Sequence, residues 1–527
     1  MTRHEMYTWF MARHVVPSEI RREAQALRDL STCNPFLPER VELEKRLLGT
    51  AFTPGGDVWS MDPSRPPTSP NVAAVAGKAR HLARRMNPML QVDGEFREED
   101  LDLYEAVATY VLYDSVDDEM YDEIVALEPK AGAVRPLACW PRFREEADHL
   151  LAPVRRRRPT DDNETLIALL WQVRRAFHMI FTELFGASMP AARLRAAAWQ
   201  SVFTHDLGRY RRSLHRKMHE IPTLVTGPSG TGKDIVARAV AASSFIPFDG
   251  RRGAFTEDFR RLFLPLNLPS LSPTLIESEL FGHRKGSFTG AVNNRRGYLE
   301  GLTPAHSVFL DEIGELDPAI QVKLLQVLQT REFRRIGESS ARRFEGRIIA
   351  ATNRDLDAEV AAGRFRVDLY YRLCADRIET PSLAELVDAD SGELVRLVRL
   401  LARRLVGDEA DEVAAQVTDW INRQLGTSYP WPGNVRELEQ CVRNIIVRGA
   451  YRPLRLAGEG AKSPLESFCT SMTEGGLSAD ELLDRYVTLV YHRAGGYVAA
   501  AEQLKMDRRT VKKRVLTDWL AELEAET

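Results

Sequence analysis

Residues 222–242, PTLVTGPSGTGKDIVARAVAA, constrain the fold more than any other part of the chain. A short apolar run over 222–226 leads into Gly227-Pro228-Ser229-Gly230-Thr231-Gly232-Lys233-Asp234. A helical pattern follows over 235–242. This is GxxxxGK in strand–loop–helix order. Glycines let successive backbone N–H groups converge without an intervening Cβ, and a helix N-terminus favours an anion. The stretch therefore predicts a phosphate cradle, with Lys233 reaching the terminal phosphates. Asp234 stands where Ser or Thr commonly holds Mg²⁺.

A cradle of this kind needs an acidic strand end beside it. Ser307-Val-Phe-Leu-Asp311-Glu312 supplies an apolar strand closing in two carboxylates, an arrangement that is costly without a cation. Asp311 is expected to hold Mg²⁺ and Glu312 to polarise an attacking water. A third apolar run, 347–351, closes in Thr352-Asn353, two small polar residues able to bond that water or a phosphate. Apolar strands alternating with helical stretches predict a parallel sheet covered by helices.

Around this α/β segment the texture is helical. Residues 21–48, 98–127 and 163–184 carry helical apolar spacing, as do 386–448. Residues 53–71, with Gly55-Gly56 and several prolines, read as a loop. The run Arg155–Arg158 between Pro153 and Pro159 reads as a solvated linker, and 456–480 as a second linker. Five scattered cysteines without a CxxC argue against a zinc site or disulfide framework and for reduced thiols in the cytoplasm. The N-terminal sequence MTRHEMYTWFMARHVV is too interrupted by charge for a signal peptide. No run of about 18 uncharged apolar residues occurs, so no transmembrane helix and no membrane partner are expected. Lys plus Arg (72) nearly balances Asp plus Glu (75). Contact with nucleic acid therefore requires a local basic patch.

Such a patch lies near the C-terminus. Residues 478–493 read as a helix broken at Gly495-Gly496, 498–504 as a short helix, 505–507 as a turn, and 508–516 as a second helix with Asp507 as N-cap. This is a helix-turn-helix pattern. Val511 and Val515 fall on one face, leaving Arg508, Arg509, Lys512 and Lys513 to meet phosphates and base edges.

The block Glu277-Ser-Glu-Leu-Phe-Gly-His-Arg-Lys-Gly286-Ser287-Phe288-Thr289-Gly290-Ala291 closely resembles the AAA+ activators of sigma-54 RNA polymerase, the bacterial enhancer-binding proteins, whose hallmark loop reads GAFTGA. GPSGTGKD, SVFLDEIGELD, IIAATNRDL, FRVDLYYRL and WPGNVRELE match in order, so the resemblance runs from about residue 190 to 450. It implies an ATP hydrolase using Mg²⁺, assembled as a ring, most often a hexamer, that acts on sigma-54 RNA polymerase from enhancer DNA.

Residue by residue, it implies a nucleotide site at Gly227–Lys233 and a magnesium- and water-handling pair at Asp311 and Glu312. Asn267 matches the asparagine restraining that glutamate, Thr352 and Asn353 match the first sensor, and Arg436 the second. Arg366 and Arg372 match arginine fingers acting on a neighbouring subunit's ATP. Gly286, Ser287, Phe288, Thr289, Gly290 and Ala291 match the sigma-54 contact loop. The local sequence adds that Asn434 can N-cap the lid helix and Glu437 can close a capping box. The C-terminal segment looks like a factor-for-inversion-type DNA-binding domain.

The expected organisation is multidomain: a helical regulatory region (1–190), an α/β AAA+ core with a parallel sheet (191–385), a helical lid (386–452), a linker (453–479) and an all-α helix-turn-helix (480–527). Residues 1–190 show neither a phospho-acceptor receiver pattern nor a small-molecule sensor motif.

Overall fold

The computed structural model describes residues 16–54, 71–92, 96–127, 134–288, 291–454, 464–473 and 477–524. The N-terminal peptide and nearly all of the 53–71 loop lie outside them. Described residues up to Gly449 form one compact unit and those from Ala450 a second. No helix among the described residues is long and apolar enough to cross a membrane.

The first unit opens with helices α1 (Ser18–Thr32), α2 (Glu39–Leu48), α3 (Asn71–Leu90), α4 (Glu98–Leu127), α5 (Trp140–Arg155), α6 (Asn163–Glu183) and α7 (Met189–Phe203). The continuous pattern over 21–48 is split in two. Asn34 turns the chain by accepting from the Phe36 N–H at 3.1 Å, and Pro35 and Pro38 cannot continue a helix. α4 shows why the long helices form. It carries Glu98, Glu99 and Asp100 in its first turn, and it buries Leu101, Tyr104, Ala108, Leu112, Val116, Met120 and Ile124 at helical spacing.

The arginine run is not an open linker. Arg155 pairs with Asp148 at 2.9 Å, and Arg158 pairs with Asp102 and Glu105. Arg157 lies over the Phe96 ring at 4.6 Å. Asp148 lies on the helix that Arg155 ends, but Asp102, Glu105 and Phe96 come from α4 and the chain just before it, too far away in sequence to be read locally. The run therefore closes the helical layer.

A five-stranded, fully parallel sheet follows. Its strands are β1 (Thr223–Thr226), β2 (Phe263–Asn267), β3 (Ser307–Asp311), β4 (Arg347–Thr352) and β5 (Asp376–Glu379), in the order β5-β1-β4-β3-β2. β4 is buried along its whole length and β3 up to Leu310, as expected when helices cover both faces. Arg347 ties the starting edge together. Its guanidinium donates to Ile221 O, Ser201 O and Thr223 Oγ1 at 2.6–3.1 Å and faces Asp376 at 3.4 Å.

The helical region and the sheet share a core. Phe36, from the α1–α2 connection, stacks on Phe177 at 5.3 Å and meets Trp199 edge-on at 5.9 Å. The same cluster holds Val225, Phe309, Ile349 and Ile378 of the sheet. Phe36→Ala, emptying a site that is 1% exposed, should destabilise the unit by about 3–5 kcal/mol. Thermal unfolding followed by circular dichroism checks this; an unchanged midpoint would place Phe36 outside the shared core.

Helix α8 (Lys233–Ala242) follows β1, and α9 (Pro273–Phe281), α10 (Pro318–Thr330), α11 (Leu356–Ala361) and α12 (Val367–Leu373) surround the sheet. Four helices complete the unit: α13 (Leu383–Ala389), α14 (Glu393–Val406), α15 (Ala410–Gln424) and α16 (Asn434–Arg448). Glu393, fully buried at the start of α14, accepts the Ala187 N–H at 2.9 Å and the Ser188 N–H at 3.2 Å. It thereby fastens α14 to the approach to α7.

The second unit holds α17 (Pro464–Thr473), α18 (Ala479–Ala494), α19 (Tyr497–Leu504), α20 (Arg508–Arg514) and α21 (Thr517–Glu524). α17 lies where 456–480 reads as a linker. Phe468 explains it by packing edge-on against Trp519 at 5.4 Å. Ser478 and Glu481 form a reciprocal capping box at the start of α18.

Candidate functional site

The phosphate-type loop starts where β1 ends. Gly227 has φ 143°, and a Cβ there would come within 2.1 Å of Thr380 Oγ1; Gly230 has φ 78°, and a Cβ there would come within 2.3 Å of Gly433 O. Both positions therefore require glycine. Gly232, also at positive φ, leads into α8 with Lys233 as its first residue. Lys233 Nζ donates to Gly227 O at 3.0 Å and Pro228 O at 3.1 Å. Burial pushes its pKa down, opposed by Glu312 and Asp311. Thr231 bonds Pro228 O and the Thr380 hydroxyl, at 2.9 and 2.7 Å. Asp234 is exposed in the first turn.

The parallel register brings the other strand ends to the same edge. Thr226 pairs with Thr352, and Asn267 with Asp311. Burial, then the neighbouring Glu312, raises the Asp311 pKa. A carboxylate that burial and a neighbouring negative charge hold back from ionising suits a cation, as Mg²⁺ would be. Glu312 itself is left-handed, φ 54° and ψ 52°, a conformation costing a non-glycine residue about 1–3 kcal/mol. Its Oε2 accepts the Asn353 N–H at 3.2 Å. Thr352 is fully buried and its Oγ1 accepts the Arg354 N–H at 3.1 Å. The bond made by Glu312 thus runs to the end of β4, while Asn267 stands on the far side of Asp311.

The lid reaches this edge through α16. The Arg436 N–H donates to Gly230 O, and its Nη1 to Ser229 Oγ, each at 3.3 Å. Asn434 does not cap its own helix. It has φ 53°; its Oδ1 accepts the Leu383 N–H at 2.8 Å and its Nδ2 donates to Ser229 O at 3.0 Å. It thus bolts the lid to the loop. Glu437 does reach back, accepting the Gly433 N–H at 2.8 Å. Sequence reading misses Thr380 and Asn434 as loop-binding residues because their partners lie far away along the chain.

Arg366 and Arg372 are exposed at either end of α12. Asp368 holds Arg366 bidentately at 2.7–3.0 Å. Among the described residues no hydrogen bond links either arginine to Lys233, Asp311 or Glu312.

The 286–291 loop projects from the short antiparallel pair Gly282–His283 and Arg295–Arg296. The Gly286 N–H donates to Ala291 O at 2.8 Å, and the Ala291 N–H to Phe288 O at 3.0 Å. Phe288 is half-buried, its ring edge-on to His283 at 5.0 Å. Ser287 stands against Gly337. Thr289 and Gly290 lie outside the described residues.

In the second unit Asp507 Oδ1 accepts the Arg509 N–H at 2.8 Å, capping α20. Val511 is buried, Val515 partly so, and Arg508, Arg509, Lys512 and Lys513 are exposed. The helix stops at Arg514, which pairs with Asp484 at 2.7 Å, because Val515 is extended.

Residues 205–379 match the sigma-54 interaction domain. The chain is 40% identical over 301 residues to the Nif-specific regulatory protein of Azotobacter vinelandii, covering 56% of this chain and 53% of that one. It is 38% identical over 306 residues to the transcriptional regulatory protein ZraR of Escherichia coli, covering 55% and 62%. It therefore spans a little over half the length of these relatives. NtrX from Brucella abortus superposes with a TM-score of 0.37 at 22% identity, over 72% of this chain and 80% of that one, too loosely to bear on function. Residues 205–379 thus carry a sigma-54 interaction domain, similar in sequence to these regulators.

Proposed function

We propose that the chain is a transcription activator that hydrolyses ATP in a ring of its own copies to open promoters held by sigma-54 RNA polymerase. The observation that carries this reading is the meeting of Lys233, Asp311, Glu312, the 352–353 strand end and Arg436 at one edge of a parallel sheet, the edge where α/β folds bind ligands. Gly227–Lys233 and Arg436 would hold the phosphates. Asp311 would hold Mg²⁺, which supplies charge neutralisation on the phosphates. Glu312 would take up and orient the attacking water, and its bond to the Asn353 N–H would couple it to the sensor. Asn267 would limit its swing. No covalent intermediate on the protein is implied.

The exposed Arg366 and Arg372 would complete a neighbour's site, an arginine finger being worth about 10³–10⁵-fold in rate. Mixing tests this. Arg372→Ala and Lys233→Ala subunits should each be inactive alone and recover ATPase together, because a mixed interface pairs an intact finger with an intact cradle. Verified mixed rings without recovery would count against fingers acting in trans.

Residues 480–527 would bind enhancer DNA through Arg508, Arg509, Lys512 and Lys513. Replacing Arg508 and Arg509 with Ala should weaken DNA binding and shrink its salt slope by roughly one unit per lost phosphate contact, with ATPase retained. A slope unchanged by the double substitution would remove this face from the interface. On this reading residues 1–190 regulate, 191–385 and 386–452 form the ATPase core and lid, and 453–479 link them to the DNA-binding module.

A further inference from the structure

At the sheet edge opposite the nucleotide cradle, α6, the turn Tyr210–Leu214, the 244–248 connection and the start of β4 enclose a cavity of about 660 Å³. That is the size of a pocket for a small organic ligand. Its walls are mostly rings and aliphatic groups: Phe245 and Phe248 from one side, Met218 and Val202 from another, Pro304 and Ala305 from a third. The imidazole of His215 packs edge-on against Phe245 at 4.7 Å.

Apart from Glu164, the charged groups at its lining already hold partners. Arg347 is spent on Ile221 O, Ser201 O, Thr223 and Asp376. Glu257 is held by the Thr303 hydroxyl at 2.6 Å and by His306 at 3.2 Å. Asp162 Oδ1 caps α6 by accepting the Thr165 N–H. Arg216 Nε donates to His215 Nε2 at 3.2 Å. Burial lowers the pKa of both His215 and His219, keeping these rings neutral. Glu164, also on the lining, adds a negative charge that repels an anion. An anion would lose its hydration without gaining a partner, and a cation would gain only the half-buried Glu164, less than its hydration is worth. A flat apolar guest would gain burial and ring contacts.

We infer that this cavity is a binding site for a small, uncharged aromatic molecule, seated between the N-terminal helices and the sheet. The inference is independent of the reading of the nucleotide site. Its position gives it reach. α8 begins at Lys233 in the cradle and ends beside the cavity wall at Val240 and Ser244, and β4 begins at the cavity with Arg347 and ends at Thr352.

The test uses the full chain and the neutral fluorophore N-phenyl-1-naphthylamine. Saturable binding of one molecule per chain is expected, with displacement by 1-naphthol but not by 1-naphthoate or 1-naphthylmethylammonium at the same concentration. Met218→Trp and Ser244→Phe, on different elements, each fill the cavity and should weaken binding at least tenfold. Circular dichroism melts identify which variants fold, and either folded variant suffices. Non-saturable binding, or unchanged affinity in a folded variant, would overturn the site. Displacement by either ion as effective as by 1-naphthol would overturn the uncharged class.

Discussion

Glu312→Gln is expected to lower ATP turnover by about 10²–10⁴-fold, the usual scale for a lost general base, while nucleotide affinity stays within a few-fold of wild type. The amide keeps the length and shape of the carboxylate, and its oxygen can still accept the Asn353 N–H that Glu312 Oε2 accepts at 3.2 Å. The left-handed backbone at 312 is equally open to either residue. What the variant loses is the basic oxygen that polarises water. It also loses the charge that helps raise the pKa of Asp311, so that carboxyl should ionise more readily and its hold on a cation should survive. Phosphate release paired with binding of a fluorescent nucleotide separates the two effects. Turnover within a few-fold of wild type would remove Glu312 from the chemistry, and lost binding would make it a structural residue.

Phe288→Ala should abolish promoter opening with ATP turnover and DNA binding near wild type. The ring is only half-buried and its contact is the His283 edge at 5.0 Å, a pair worth about 0.5–1.5 kcal/mol. His283 is fixed independently by the Ser278 hydroxyl at 2.7 Å. The turn is held by backbone bonds from Gly286 and Ala291 that an alanine at 288 leaves intact. Removing the ring therefore costs little stability and takes away an apolar surface that a swing of the loop would expose. ATPase, DNA binding and promoter melting on the same preparation decide the matter. If turnover falls as far as melting, Phe288 is a packing residue.

The features legible in the sequence were those set by near neighbours. The glycine loop declares itself because its spacing is covalent, and the three central strands because burial on both faces leaves unbroken apolar runs. The helical spacing over 478–493 gives α18, whose start the Ser478–Glu481 capping box fixes. Illegible were groups whose partners lie far along the chain. Asn434 looks like a cap, but its side chain joins Leu383 to Ser229, 51 and 205 residues away. The arginines at 155–158 look solvated until α4 brings Asp102 and Glu105 to Arg158. Glu393, within a stretch read only as helical, is a buried acceptor for Ala187 and Ser188. The cavity wall draws on α6, the 210–219 segment and the 303–305 turn, each unremarkable alone, which is why residues 1–190 disclose helices and no ligand.

Coupling of ATP hydrolysis to sigma-54 promoter opening is read out by 2-aminopurine fluorescence at the melting start of a sigma-54 promoter, with the full chain and sigma-54 RNA polymerase. Fluorescence should rise with ATP, but not with a non-hydrolysable analogue, and not when a sigma-70 polymerase and its promoter are substituted. Melting sustained by the analogue, or no melting with ATP by a chain shown to hydrolyse it, would show that hydrolysis and opening are not coupled.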